Sequence, residues 1–229
     1  MDPNTTKARF RELLRLPDHE LPLDVLCFLI CQLAGLEIDV DDEQRKLDIS
    51  ALPIRPDFNG VMTHLFQGRA AVRGNAEDYY NIDNSMLSEV HRNGLGIPIT
   101  LSVLGMEIGR RAGVGIAGVG MPGHFLVRST EDHNVFADPF GGGRILDQDG
   151  VRALFTTLTS GRAPWHDRYL RPIGARDIVF RILNNVNVAC TKSFTDAPNL
   201  PWVHELLSWF PHGSPFDVHA ASKAMARFN

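Results

Sequence analysis

The sequence predicts an α+β protein in which one long helix packs on an antiparallel sheet, and three observations carry that reading. In residues 98–112, Leu101, Leu104, Ile108 and Ala112 recur at three- and four-residue steps, the spacing of one buried helix face. Directly after it come three strand-like stretches, residues 114–120, 124–129 and 134–138; the last two are joined by the short polar connector Thr130-Glu131-Asp132-His133, as a hairpin loop should be. Upstream of both, residues 5–16, 22–33 and 60–66 have helical composition and are separated by proline and glycine.

Taken in order, the first helix is closed by Pro17, and the second starts with Pro22 near its first turn and ends before Gly35. The acidic run Asp39-Val40-Asp41-Asp42-Glu43 lacks the glycine and spacing of a calcium loop, and reads as a solvated helix start stabilised by its negative charge. Residues 53–57, with two prolines, form a linker. After the helix at 60–66 and a glycine-punctuated loop comes Gly74-Asn75-Ala76-Glu77-Asp78-Tyr79-Tyr80-Asn81-Ile82-Asp83-Asn84-Ser85. This loop either lines a polar pocket with Tyr79 and Tyr80 or is a structural loop pinned by Asx turns. Asn84 or Ser85 is expected to cap a helix over residues 86–91.

The central helix opens on Gly96-Ile97-Pro98-Ile99-Thr100-Leu101-Ser102, where Pro98 suits a first helical position because its missing N–H would be unpaired there anyway. Glu107, Arg110 and Arg111 are expected on its outward face, with Gly113 as its stop. In the strand His124-Phe125-Leu126-Val127-Arg128, alternation puts His124, Leu126 and Arg128 on one face. Gly141-Gly142-Gly143 is a flexible turn without the Lys-Ser/Thr ending of a phosphate-binding loop. Residues 148–158 read as a helix and 164–169 as a loop with Trp165 and His166. From Pro172 the character becomes helical: residues 175–190, with Ile178, Ile182, Val186 and Ala189 on one side, then 202–210 and 216–228. The resulting organisation is a helical N-terminal region (1–57), a core (58–171) and a small helical C-terminal annex (172–229).

Composition narrows the function classes. The chain has 229 residues, 44% hydrophobic and 22% charged, an ordinary globular balance. A net charge of −4 with no basic stripe or polybasic segment argues against nucleic acid and against a membrane surface as partner. The most apolar run, residues 25–34, is about half of the roughly 20 residues that a membrane span needs. The N-terminus is polar and Arg-rich, unlike a secretory signal. Cys27, Cys31 and Cys190 form no Cys-x-x-Cys pair, and Cys27 and Cys31, four apart on a helix, read as small buried hydrophobes, so a reduced, cytoplasmic protein is expected.

One constellation could carry chemistry. His124 begins a strand directly after Pro122-Gly123, and Asp138 ends another strand fourteen positions later, before Pro139-Phe140. On antiparallel neighbours both side chains reach one rim of the sheet, where an Asp that accepts from one ring nitrogen leaves the other to act as a base. Thr100 and Ser102 lie in the first turns of the neighbouring helix, either as hydroxyls that His124 could activate or as ordinary hydroxyls bonded to backbone. A third course is that His124 activates water or abstracts a proton directly, with no covalent step. His133 falls at an exposed turn, so His124, His133 and Asp138 are not expected to hold a metal, and no cofactor is expected.

Asp78-Tyr79-Tyr80, Asn84-Ser85, Gly96-Ile97-Pro98-Ile99-Thr100-Leu101-Ser102, Pro122-Gly123-His124-Phe125-Leu126-Val127-Arg128 and Asp138-Pro139-Phe140 together resemble the SirB1 family of transglutaminase-like proteins, over roughly residues 20–190. The resemblance implies a papain/transglutaminase-like fold, with His124 and Asp138 at the triad His and Asp. It places Pro98 where a transglutaminase carries its nucleophilic Cys, about fifteen residues before Gly113. It also implies that the C-terminal helices are short, degenerate tetratricopeptide-like elements that could meet a protein partner. Two functions follow as expectations. One is non-thioester chemistry on an amide, ester or related carbonyl compound through His124, Asp138 and Thr100, with Tyr79, Tyr80, Asn84, Pro98, Ser102 and Arg128 lining the site. The other is a catalytically silent module that binds a small molecule, peptide or partner protein in the inherited cleft.

Overall fold

The computed structural model describes residues 2–68, 71–192 and 201–210. Helix α1 (Pro3–Leu13) starts on Asp2, whose carboxylate accepts from the N–H groups of Asn4 and Thr5, and it ends three residues short of the expected Leu16. Helix α2 (Leu23–Leu33) is buried at every position from Leu23 to Cys31. At about 1.5–3 kcal/mol for each large apolar side chain removed from water, it is a major contributor to the core. Helix α3 (Val40–Ala51) is capped by Asp39, whose carboxylate accepts from the Asp42 N–H at 2.9 Å, so the acidic run is a helix start as read. Asp57 caps α4 (Phe58–Phe66) in the same way, through the Gly60 N–H at 2.7 Å.

The loop region beyond α4 holds two short strands that the sequence does not announce. Strand β1 (Arg73–Gly74) pairs in parallel with β2 (Leu95–Gly96), and α5 (Leu87–Asn93) lies between them. Two residues are too few for any periodicity to show. The expected side-chain cap on α5 is also absent: Met86 is the cap residue with no side-chain bond, while Asn84 and Ser85 belong to a single 3-10 turn, Ile82–Ser85.

Helix α6 (Pro98–Arg111) is the centre of the molecule. Behind it come β3 (Ile116–Met121), β4 (His124–Ser129), β5 (Phe136–Asp138) and β6 (Arg144–Leu146), an antiparallel sheet in sequence order. The three expected strands are present; β6 was not foreseen. Alternation along the strands divides the sheet. Phe125, Val127 and Ala137 enter a large core with Leu101 and Leu104 of α6. Val119, Met121, Leu126 and Phe136 enter a smaller one, closed by Val151 and Phe155 of α7 (Gln148–Thr159) and by Tyr169.

Helix α8 (Ala175–Lys192) buries Ile178, Ile182, Val186 and Ala189, the face that the sequence predicts, and α9 (Pro201–Leu207) packs beside it. Just before α8 the chain runs along the free edge of β3: Val119 bridges Pro172, and the Ile173 N–H donates to the Gly118 carbonyl at 2.9 Å. The large core thus draws on all three regions of the chain, with Phe10, Phe28 and Leu47, then Leu104 and Phe125, then Ile182 and Val186. The helix expected at 216–228 lies outside the described residues.

One expectation about α6 is corrected. Arg110 is exposed, but Glu107 is buried and the side chain of Arg111 is mostly covered. Asp24 of α2 draws Arg111 inward, and Arg111 in turn meets Glu107. The Asp24 carboxylate accepts from Arg111 Nη2 at 2.5 Å and from Gln44 at 3.0 Å, while Arg111 also meets Glu107 at 2.8 Å and Asp48 at 2.7 Å. Burial would raise Asp24, but the bonds from Arg111 and Gln44 hold its carboxyl below the usual value. Burial and the charge of Asp24 push Glu107 the other way, upward.

Candidate functional site

Strand register brings the two sequence-predicted residues together. Val127 pairs with Ala137 and Arg128 with Phe136, so Asp138 falls opposite Leu126 and is the diagonal, same-face neighbour of His124. The chain reaches His124 through the tight turn Met121-Pro122-Gly123-His124, in which Gly123 takes φ +74°, a conformation that glycine adopts without steric cost. His124 Nε2 and Asp138 Oδ1 are 2.9 Å apart. Both residues are buried, 6% and 4% exposed.

The Asp138 carboxylate also accepts from the Gly141 N–H at 3.0 Å, and the Gly143 N–H donates to the Asp138 carbonyl at 2.8 Å. A Cβ on Gly141 would lie 2.6 Å from Asp138 Oδ2, so this turn needs glycine to close on the acid. Burial works to raise the Asp138 carboxyl, but the hydrogen bond and charge of His124 and the Gly141 N–H outweigh it and hold the group below its ordinary value. An ionised Asp only accepts, so Nε2 carries a proton toward it, and the nitrogen left to act as a base is Nδ1. Such a pair can take a proton at Nδ1 and stabilise the resulting imidazolium.

An aromatic series runs out from the pair. The Phe140 ring meets His124 edge to face at 6.1 Å between centroids, Tyr79 meets Phe140 at 6.1 Å, and Tyr80 meets Tyr79 at 5.5 Å. Tyr79 is buried, which raises its phenol, and Tyr80 is half-buried. Phe140, read in the sequence as part of Asp138-Pro139-Phe140, and Gly141, read as part of a flexible turn, are here neighbours of His124 and Asp138.

Of the two readings of Thr100 and Ser102, the structure gives hydroxyls bonded to backbone. Thr100 is 1% exposed; its hydroxyl accepts from the Ile97 N–H at 3.2 Å and donates to the Asn84 carbonyl at 2.6 Å. The Ser102 hydroxyl, fully buried, donates to the Pro98 carbonyl at 2.8 Å. Both protons are spent on backbone carbonyls: Ser102 bonds back one turn along its own helix, and Thr100, which accepts the Ile97 N–H left unpaired at the helix start, donates its own to Asn84. Asn84 is a clip: its amide donates to the carbonyls of Asp78 and Tyr79 at 2.7 and 3.2 Å and its oxygen accepts from Asn75 at 3.0 Å, tying the tyrosine loop to the start of α6. Arg128 lies four residues along β4 from His124, roughly 13 Å at strand rise, and its guanidinium points to the Leu170 carbonyl. Arg128 is therefore not part of the His124 site. Pro98 is the buried first residue of α6 and offers no nucleophilic atom.

Cys27 and Cys31 are buried on α2, where burial raises both thiols, Cys31 to about 11. Cys190, on α8, is raised by burial too. His133 is exposed in the hairpin loop, apart from the buried pair, and among the described residues no group of three or more His, Cys, Asp or Glu is placed to hold a metal ion. No helix of the described residues is long and apolar enough to cross a membrane.

Comparison with known proteins places this geometry. The profile of a family described as "Transglutaminase-like superfamily" matches residues 35–184. A UPF0162 protein of Xylella fastidiosa is 39% identical over 145 residues, which is 61% of this chain and 50% of that protein. A UPF0162 protein of Pseudomonas aeruginosa is 30% identical over 104 residues, 45% of this chain and 37% of that one. Human F-box only protein 21 is 26% identical over 147 residues, 58% of this chain and 23% of that protein. The chain thus spans half or less of the length of these relatives. No solved structure matches it.

Proposed function

The chain belongs to the transglutaminase-like superfamily, and on that premise we propose that it has kept the His-Asp half of a triad, lost the nucleophile, and acts on a carbonyl compound by proton transfer without a thioester. His124 is the base, and Asp138 holds its tautomer. Pro98 stands in the nucleophile's place, as the resemblance to the SirB1 branch implies. The supporting observation is the 2.9 Å bond from Nε2 to Asp138, which leaves Nδ1 as the basic nitrogen. The committed hydroxyls of Thr100 and Ser102 argue for a base acting directly on water or substrate rather than for a substitute nucleophile. Thr100 then serves the site by fixing the start of α6.

A second reading is a silent transglutaminase-like module that binds a peptide or partner protein, with the C-terminal helices as an added contact. The near-complete burial of His124 and Asp138 favours it. So does the occurrence of a similar region within the far longer F-box only protein 21.

A panel of amide and ester probes separates the two readings. The proton-transfer reading expects at least one probe turned over by the wild type, with turnover lost on His124→Ala and unchanged on Cys190→Ser. A base of this kind contributes about 10²–10⁴-fold in rate. Turnover of every active probe that survives His124→Ala, or a wild type inert to the whole panel, favours the silent module.

A further inference from the structure

We propose that Arg181 of α8 is the positioning residue of the His124 site, gripping the turn that delivers His124 to Asp138. The inference rests on His124 being the working group of that site. The turn itself poses the problem. Two-residue hairpin connections favour primed turns, whose first central residue either has positive φ or is glycine, because their twist matches that of the strands. Pro122 is the first central residue here, and its ring locks φ near −65°, so neither primed turn is open to it. Proline followed by Gly123 at φ +74° is the residue order of a type II turn, a geometry that splays the strands it joins. A turn of this kind needs support from outside if its last residue is to hold a fixed direction.

Arg181 supplies that support. Its Nη2 donates to the carbonyls of Met121 and His124, both at 3.3 Å, and these are the two residues that flank the turn. The guanidinium carbon lies 5.2 Å from the ring centroid of Phe125, the next residue on β4. The strand leaves space for the group: a Cβ on Gly120 would stand 2.1 Å from Arg181 Nη1. Gly120 is outside the positive-φ glycines, so its lack of a side chain serves this close approach rather than backbone conformation. Burial lowers the guanidinium to about 10, opposed by Asp177 and Tyr79, and the group stays cationic at neutral pH. One nitrogen reaches both carbonyls while the guanidinium lies over the Phe125 ring, a combination that Arg supplies and the strongly hydrated point charge of Lys does not.

The test reads the His124 ring and needs no substrate, so a failed probe panel leaves it intact. In protein labelled with ¹⁵N-histidine, the Nε2–H held by Asp138 gives a downfield ring-proton resonance, assigned by its loss in Asp138→Asn. Arg181→Lys and Gly120→Ala attack the grip from opposite sides, the first by removing the guanidinium and the second through the space beside it. Expected in each is loss of the His124 ring resonance while the amide spectrum elsewhere stays native. A loss of stability alone would leave that resonance in place below the melting temperature. Should Arg181→Lys fail to fold, Gly120→Ala decides by itself. A His124 resonance unchanged in the folded variants overturns the proposal.

Discussion

At the scale of single residues, the site turns on where three protons go. Nε2–H goes to Asp138, the Thr100 proton to the Asn84 carbonyl, and the Ser102 proton to the Pro98 carbonyl. If Thr100 is a capping residue, Thr100→Val should cost about 1–2 kcal/mol by denaturant unfolding, while Thr100→Ser, which keeps the hydroxyl, should cost less, and neither should abolish turnover of an active probe. Asp138 makes a pH prediction. Its folded value lies below its ordinary one, so it stabilises the fold once pH is above the unfolded value, and that contribution drains away as pH falls through the folded value. Wild type should therefore melt above Asp138→Asn at neutral pH, with the two curves converging below about pH 4. A gap that stays constant across that range would mean that the charge of Asp138 is not what stabilises the fold. His124 and Asp138 were legible in the sequence because the turn and strand signals around them are strong. The clip made by Asn84 is not legible, and Thr100 stays open between two readings, because a hydroxyl or amide near a helix start reads the same whether it faces a cleft or a carbonyl.

At the scale of elements, α6 shows what periodicity can and cannot say. Leu101, Leu104 and Ile108 were found by their spacing and are wholly buried. Glu107 and Arg111 are assigned to solvent because charge usually is; Asp24 of α2 draws Arg111 inward, and Arg111 with Arg110 makes the burial of Glu107 tolerable. Among the described residues Arg111 joins Asp24, Glu107 and Asp48, while the exposed Arg110 also meets Glu107 at 2.9 Å and lies 3.7 Å from Asp24. Arg111→Met should then destabilise the protein by about 3 kcal/mol, since it leaves two buried carboxylates with only the exposed Arg110 as cation, and Asp24→Asn in the same chain should recover part of the loss. Urea titrations of the single and double variants measure both terms. An Arg111→Met variant as stable as wild type would show that the network is neutral. Strands β1, β2 and β6 escaped the sequence for a different reason: at two or three residues each, they exist through pairing with neighbours rather than through their own pattern.

At the scale of the whole molecule, the sequence suggests an N-terminal region, a core and an annex, and the packing crosses those bounds. Phe10 and Leu26, Leu104, and Ile182 belong to one core, and the chain before α8 completes the β3 edge of the sheet that carries His124. Shared burial of this kind predicts one cooperative unfolding transition, with far-UV circular dichroism and tryptophan fluorescence coincident. Trp165 packs against the smaller core and Trp202 belongs to the larger, so the fluorescence samples both. Two resolved transitions would mean that the regions fold apart. The order of a helix, a strand that starts on His and a strand that ends on Asp was enough to read the architecture before any coordinates. Arg181 was beyond that reading, since nothing in residues 175–190 marks one arginine as the contact to a turn some sixty positions earlier.

The central claim is that His124 moves a proton and nothing on the chain takes an acyl group. Its most direct test is the intact mass of the protein, quenched during steady turnover of an active ester or amide probe, with His124→Ala alongside. The prediction is an unmodified mass for the wild type throughout, and no turnover by the variant. An acyl adduct on Thr100, on a cysteine or on any other side chain would contradict it, as would turnover that persists without the His124 ring.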